Sequence, residues 1–389
     1  MKVKNIKNKK TNSQKVFVGL SGGVDSAVSA ALLQKEGFEV TGVFIKAWTP
    51  EGYPCTWKED RRSAMRVAAI LDIPFITLDL EKEYKKEVVD YMIAEYKIGR
   101  TPNPDVMCNK EIKFGHFLKF ALKNGADFVA TGHYACKKVV SSKHLASSKN
   151  KKTNLEPWLL ATNYWLLKEG ADPNKDQSYF LWTLNQDQLK HVLFPIGHLQ
   201  KSEVRKLAGK FGLPQETRKD SQGLCFLGKV DMKEFLSRYM PQKEGKVLNE
   251  KGEIIGFHNG ALFFTIGERH GFTILQKTAQ GSPVYVIAKD IKKNTITVAE
   301  KFRSTSDTPQ KVILTDVNLS GEIPNKKIQC RVRYRQEKIA CRISKENNQI
   351  SVTFDKPQNG VAPGQSLVLY LPAGKAGDGE TCLGGGIIK

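Results

Sequence analysis

The residues best suited to chemistry begin at an apolar run ending in a glycine-rich loop, Gly19-Leu20-Ser21-Gly22-Gly23-Val24-Asp25-Ser26. Glycines let backbone amides approach phosphate oxygens, and a following helix N-terminus adds partial positive charge. Ser21 and Ser26 can add hydroxyl donors. A Walker P-loop needs Gly-Lys followed by Ser or Thr, and no Gly-Lys in this chain has that continuation. A plain glycine turn is the alternative. In the second segment, GRTPNPDVMCNK from Gly99 to Lys110, Pro102 and Pro104 fix an extended approach. A helix is therefore expected to begin near Asp105, with Asp105 as N-cap and Cys108 in the first turn. The helix dipole, Lys110 and Lys113 favour a Cys108 thiolate, and Asp105 can shuttle a proton. A capping Asp and an inert buried Cys also fit.

Three further segments carry weaker signals. Lys219 to Gly228, KDSQGLCFLG, puts Cys225 on a polar, glycine-flanked loop that could be loaded and then delivered. Taken alone, a structural cysteine fits equally. Asp172 to Leu181, DPNKDQSYFL, offers Lys175 to a phosphate and Gln177 to a base edge, or is a turn with an N-cap. Arg331, Arg333 and Arg335, on a strand, would share one face with Tyr334 interleaved, as a nucleic-acid surface requires. A solvated strand face is the alternative.

The elements that must position these residues alternate. Strand-like runs at 16–20, 40–46, 74–78 and 127–131 are separated by helical patterns at 27–35, 59–71, 84–98 and 105–123. This predicts a doubly wound α/β domain whose parallel sheet presents ligands at its strand C-terminal ends. A helical region is expected over 176–210, and Asp231 with Glu234 has capping-box spacing. From about Val247, short β-type runs dominate, among them 261–266, 284–288 and 328–334. They predict a small β-rich central domain and then a C-terminal β-barrel-like domain. The expected boundaries are a basic tail over 1–14, a catalytic domain over 15–228, a central domain over 229–304 and a barrel domain over 305–389. Residues 137–155 hold six Lys, four Ser and no acid, and read as an exposed, flexible basic insertion.

Composition narrows the partner. The 389 residues include 61 Lys and Arg against 40 Asp and Glu, a formal charge of +21. Such a surplus predicts attraction to a polyanion, foremost nucleic acid, unless the source proteome is basic throughout. There is no apolar run long enough to span a membrane and no signal-peptide core, so a cytoplasmic location and no membrane partner are expected. The seven cysteines contain no C-x-x-C pair, which argues against a metal cluster, and a cytosolic chain is not expected to build a disulfide framework.

Taken together, these segments resemble the tRNA-specific 2-thiouridylase family, from Val16 to about Gln365. The resemblance rests on GLSGGVDSAV, GRTPNPDVMCNKEIKFG, ATGHYA, DPNKDQSYFL, KDSQGLCFLG, FTIGERHG, RYRQ and APGQ in that order. The first loop alone would match only the ATP pyrophosphatase superfamily; the two cysteine segments and KDQSYFL narrow it. The 137–155 stretch and the Lys-rich N-terminal extension depart from the family pattern without touching a motif.

The resemblance implies ATP, with Mg2+, as substrate and no bound metal cluster. ATP would sit at Gly19, Leu20, Ser21, Gly22, Gly23, Val24, Asp25 and Ser26, helped by Ile45 and Gly132. The wobble uridine of a tRNA anticodon would lie near Asn103, Pro104 and Asp105, and be adenylated on its 2-carbonyl oxygen. Cys225 would carry a persulfide from a sulfur carrier or cysteine desulfurase. Cys108 would assist release, with a Cys108–Cys225 disulfide as one route, and Asp105 would be the acid/base residue. His133, Lys175, Asp176, Gln177, Arg333, Tyr334 and Gln365 match tRNA-contacting positions. A monomer is expected. The alternative is another ATP-pyrophosphatase RNA-modifying or amidotransferase-type enzyme. An amidotransferase type would use ammonia and need neither cysteine, and a 2-thiocytidine type would need C-x-x-C.

Overall fold

A run of three consecutive buried residues, Val16 to Val18, fixes β1 (Lys15–Gly19) at the centre of a sheet, because a strand covered on both faces is apolar throughout. The computed structural model describes residues 13–53, 57–140, 164–214, 231–275, 283–300, 309–321, 328–347, 349–373 and 379–389. Helix α1 (Val24–Lys35) follows, with Asp25 in its first turn and Lys35 in its last, both matched to the helix dipole. Then come β2 (Glu39–Lys46), α2 (Trp57–Ile70), β3 (Phe75–Asp79), a helical stretch over 81–97, a second over 104–123 and β4 (Phe128–Ala130). The sheet order is β3-β2-β1-β4-β7, with β7 at Val192–Leu193, and every pairing is parallel. The order reverses between β1 and β4, the crevice where open α/β sheets take ligands. One face of the sheet is covered by the 104–123 helix through Ile112, Phe114 and Phe117. The other is covered by α1, α2 and the helix Lys201–Lys210.

The strands β5 (Ala135–Val140) and β6 (Tyr164–Glu169) leave this sheet. They form a hairpin that pairs with the last strand of the chain. The central sheet contains β8 (Gly245–Leu248), β9 (Ile254–His258), β10 (Phe272–Ile274), β11 (Tyr285–Asp290) and β12 (Thr295–Ala299), in the order β10-β9-β8-β12-β11. Asp231 caps the helix Met232–Ser237 through the Glu234 amide, at 2.9 Å.

The C-terminal strands are β13 (Lys311–Leu319), β14 (Ile328–Arg331), β15 (Ile339–Glu346), β16 (Gln349–Phe354), β17 (Ser366–Leu371) and β18 (Thr381–Ile388). Their order β13-β16-β15-β14-β17-β18 closes because β18 also pairs with β13. Closure leaves no open edge among these six strands. Gly384, Gly385 and Gly386 lie where β18 is flanked by β13 and β17, so closely that a Cβ on any of them would press on a neighbouring strand.

Several local expectations need correction. Residues 261–266 are not a strand; Ala261–Phe263 is a single tight turn entered through Gly260 at φ 135°. The helical region over 176–210 is broken into Ser178–Leu181, Gln186–His191 and Lys201–Lys210, with β7 between. Asn185 starts a fresh helix there through a capping box with Gln188. The strand expected to Tyr334 ends at Arg331, and Arg335 turns left-handed at φ 63°.

Candidate active site

The phosphate-type loop leaves β1 at the switch point. Gly22 is at φ 79° and Gly23 is the N-cap of α1. The two serine hydroxyls bond within the loop. Ser26 Oγ accepts from Ser21 N at 3.2 Å and donates to Gly23 O at 3.2 Å, and it lies 3.2 Å from Ser21 Oγ. From α2, Ser63 Oγ donates to Gly22 O at 3.1 Å. The loop is thus pre-shaped, and it leads into the α1 N-terminus, whose dipole favours an anion. Ile45, near the end of β2, is buried beside it in the sheet.

Gly132 follows β4 and packs against the first turn of α1. A Cβ there would lie 2.7 Å from Ser26 N and 2.8 Å from the Asp25 carbonyl carbon, so only glycine lets the end of β4 meet α1 this closely. Asp25, half-buried, receives Tyr134 OH at 2.7 Å and Lys201 Nζ at 2.7 Å on each oxygen. Lys201 also lies over the Tyr134 ring, 5.6 Å from its centroid. The lysine is placed by the first turn of its own helix, whose backbone amide at Lys201 donates to Asp172 Oδ2 at 3.0 Å.

The N-cap of the helix carrying Cys108 lies two residues earlier than expected. Asn103, extended at φ −113° and ψ 93°, is the N-cap and accepts from Val106 N at 3.2 Å. Pro104 takes the first helical position, where its missing N–H costs nothing and its fixed φ is already right. Asp105 is therefore not the cap but lies within the first turn, next to the positive end of the helix dipole. Cys108 is fully buried and opens a wider-turned, π-type stretch running to Phe117. Such stretches recur at functional sites. From this helix Lys113 Nζ reaches His133 Nε2 at 3.5 Å, and His133 Nδ1 lies 2.7 Å from Thr131 Oγ1. Burial first, and the Lys113 charge second, hold the imidazole pKa well below its ordinary value, so His133 is neutral at pH 7.

Cys225, with the whole KDSQGLCFLG segment, lies outside the described residues, as do Cys55, most of the basic insertion and residues 1–12 of the tail. No disulfide joins the five cysteines that are described. Among the described residues no cluster of His, Cys, Asp and Glu could hold a metal ion, and no helix is long and apolar enough to cross a membrane.

Residues 14–229 match the family described as the tRNA methyl transferase HUP domain. Residues 233–300 match its PRC-barrel domain, and 309–388 an aminomethyltransferase beta-barrel domain. The tRNA-specific 2-thiouridylase MnmA of Streptococcus thermophilus (strain ATCC BAA-491 / LMD-9) is 42% identical over 380 residues, 96% of this chain and 95% of that one. This chain belongs to the tRNA-specific 2-thiouridylase family. The family's MnmA 2 from Geobacillus kaustophilus is 42% identical over 387 residues, covering 98% of this chain and 96% of that one. MnmA of Listeria monocytogenes serotype 4a is 42% identical over 380 residues, at 96% and 94%.

The positions that the thiouridylase resemblance assigns to RNA are mostly engaged within the protein. Asp176 is buried; its carboxylate accepts from Gly170 N at 3.0 Å, Ser178 N at 3.1 Å and Ser178 Oγ at 3.0 Å, and pairs with Arg331 at 3.3 Å. Gln177 Oε1 accepts from Tyr134 N at 3.0 Å, and Gln177 N donates to Tyr134 O at 2.8 Å. Gln365 Nε2 donates to Thr101 O at 3.0 Å. Arg333 donates to Gly360 O at 3.1 Å and to Ile266 O, tying the barrel to the central domain. Tyr334 packs on Phe180 with ring centroids 4.4 Å apart, and Lys175 is half-buried on the same segment.

The arginine stripe does not form. Arg331 pairs with Glu169 at 3.2 Å and with Asp176, Arg333 holds carbonyls, and Arg335 bonds Asn174 O at 3.2 Å from an exposed turn. The strand stops before the alternation can align them. Sequence reasoning also missed Tyr134, Asp172 and Lys201. Tyr134 sits inside the quoted ATGHYA run, but nothing in QKSEVRKL sets Lys201 apart from its neighbours.

Proposed function

We propose that this enzyme uses ATP to replace the 2-oxygen of the tRNA wobble uridine by sulfur. The observation that carries the reading is continuity between two chemistries. Gly132 touches the first turn of the phosphate loop's helix, and its neighbour His133 meets Lys113 on the helix of Asp105 and Cys108. A nucleotide on the loop and a base at that helix start would thus be neighbours. Membership in the thiouridylase family, over nearly the full chain, supplies the reaction class.

In this mechanism the loop amides and α1 hold the phosphates of MgATP. Lys201, fixed by Asp25, adds positive charge at the same end. The flipped uridine lies by Asn103, Pro104 and Asp105. Its O2 forms a bond to the α-phosphorus as the bond to the pyrophosphate oxygen breaks. A ring carbonyl is a poor electrophile, and adenylation makes its oxygen a leaving group. The terminal sulfur of a Cys225 persulfide then bonds to C2, and AMP departs with the former carbonyl oxygen. Attack of the Cys108 thiolate on the Cys225 sulfur leaves the transferred sulfur on the base and a Cys108–Cys225 disulfide, which an external thiol reduces. Asp105 moves the proton that the base loses. Water must be excluded, since hydrolysis of the adenylate returns uridine.

Lys175 and Tyr334 face the RNA in this reading, while the buried His133, with Asp176, Gln177, Arg333 and Gln365, acts by holding the frame that the RNA touches. The persulfide comes from a sulfur carrier or cysteine desulfurase, and the enzyme acts as a cytoplasmic monomer. The test is mass analysis of nucleosides from unmodified tRNA incubated with the enzyme, MgATP and a persulfide source. ATP-dependent 2-thiouridine at the wobble position is expected; none, or sulfur on cytidine, would refute the reading.

A further inference from the structure

The loop that delivers the chain to Asn103 is held from outside its own domain. Thr101 is buried, and each of its three polar atoms bonds to a residue of a later domain. Its N donates to Pro363 O at 2.8 Å, and its O accepts from Gln365 Nε2 at 3.0 Å, both on the barrel loop before β17. Its Oγ1 lies 3.2 Å from Thr265 Oγ1 of the central domain. The next residue back is held the same way, with an Arg100 guanidinium nitrogen donating to Ile388 O at 3.1 Å. Between Pro363 and Gln365, Gly364 sits at φ 90°, and a Cβ there would lie 2.9 Å from both Thr101 N and Thr101 O.

The geometry points to Thr101 as a positioning residue for the base-modifying reaction, through which the central and barrel domains set the register of Asn103, Asp105 and Cys108. The inference rests on the reading that the target base reacts beside those residues. Only Pro102 separates Thr101 from the Asn103 cap, and proline's locked φ transmits a shift rather than absorbing it. A displacement at Thr101 therefore moves the start of the Cys108 helix. The phosphate loop, pinned by Ser26, Ser63 and Gly132, is held independently of this junction.

The test uses the full chain with MgATP, an unmodified tRNA transcript and inorganic polysulfide as sulfur source. Thr101→Val removes only the hydroxyl bond, Thr101→Ser keeps it, and Gly364→Ala drives a methyl into the Thr101 backbone. Thr101→Val and Gly364→Ala should lower the thiolation kcat roughly 10- to 100-fold, the scale of a small misplacement of reacting groups, with KM for ATP unchanged. Thr101→Ser should recover most of the rate. Thr265→Val should copy Thr101→Val, and the double variant should be no worse, because both delete one bond. Wild-type kcat in Thr101→Val and Gly364→Ala would overturn the inference. So would losses that track the folded fraction alone and spare kcat per folded molecule. If the wild-type enzyme itself makes no 2-thiouridine, the functional reading has failed, and the inference with it.

Discussion

The phosphate loop and the Cys108 loop are held in opposite ways. The first is closed from within its own domain, by neighbours and by residues as far along the chain as Lys201. Ser26 bonds Ser21 and Gly23, and its more distant supports, Ser63 and Gly132, come from the same parallel sheet domain. The second is shaped by residues more than 160 positions away, in domains that follow. A nucleotide site can therefore be complete within one domain. On the proposed function, the base site beside Asn103, Asp105 and Cys108 is completed only by the two later domains. On that reading, ATP handling and base selection would be separated within one catalytic unit.

The largest test of this contrast acts on the self-contained side. Asp25→Ala removes the carboxylate that fixes both Lys201 and Tyr134. ATP-dependent pyrophosphate release should fall by about 100-fold or more, the scale of losing a preorganised charge contact. Unchanged release would show that the carboxylate is not part of the nucleotide site. Lys201→Met should cost roughly tenfold to 100-fold in the same assay, leaving tRNA affinity intact; a selective loss of tRNA binding would instead place Lys201 on the RNA side.

The RNA side gives a smaller effect. Affinity should fall steeply with salt, and Lys175→Ala should reduce the log–log slope by about 0.7 to 0.9, one phosphate contact. Arg333→Ala should leave the slope unchanged, because its guanidinium is committed to Gly360 and Ile266 carbonyls. Equal slope changes for both variants would break the distinction between residues that face RNA and residues that hold the frame.

The smallest effect is on stability. His133 is buried neutral, with its folded pKa well below the unfolded value of about 6.5. As pH falls through about 6.5 the unfolded chain takes up the proton first, so this contribution is full above that pH and is lost below it. The unfolding free energy from urea titration should drop between pH 7.5 and 5.5 more for the wild type than for His133→Gln, by about 1 kcal/mol in total. Parallel pH profiles would contradict the assignment.

What was legible in the sequence follows the same division. The alternation of β1, α1, β2 and α2 is written in local periodicity, and SGGVDS is a contiguous run, so sheet, switch point and phosphate loop could all be read. Asp25 was legible, but its partner Lys201 was not, because a lysine opening an amphipathic helix looks like any solvated lysine. The N-cap was misplaced to Asp105 although Pro104 marks the first helical turn, and the asparagine before it was the better cap. The arginine stripe failed because strand alternation was extended past the point where Arg335 turns. The hairpin of β5 and β6 joining β18 left no local trace, since its pairing partner lies more than 200 residues on.

The central claim is that Cys225 accepts the sulfur and Cys108 acts afterwards. Intact-protein mass after incubation with a persulfide donor, run on Cys108→Ser and Cys225→Ser alongside thiolation of tRNA, tests it most directly. The account predicts that Cys108→Ser gains one sulfur and still releases pyrophosphate but makes little 2-thiouridine, whereas Cys225→Ser gains none. Sulfur on Cys225→Ser but not on Cys108→Ser would reverse the two roles, and full thiolation by either variant would contradict the persulfide mechanism itself.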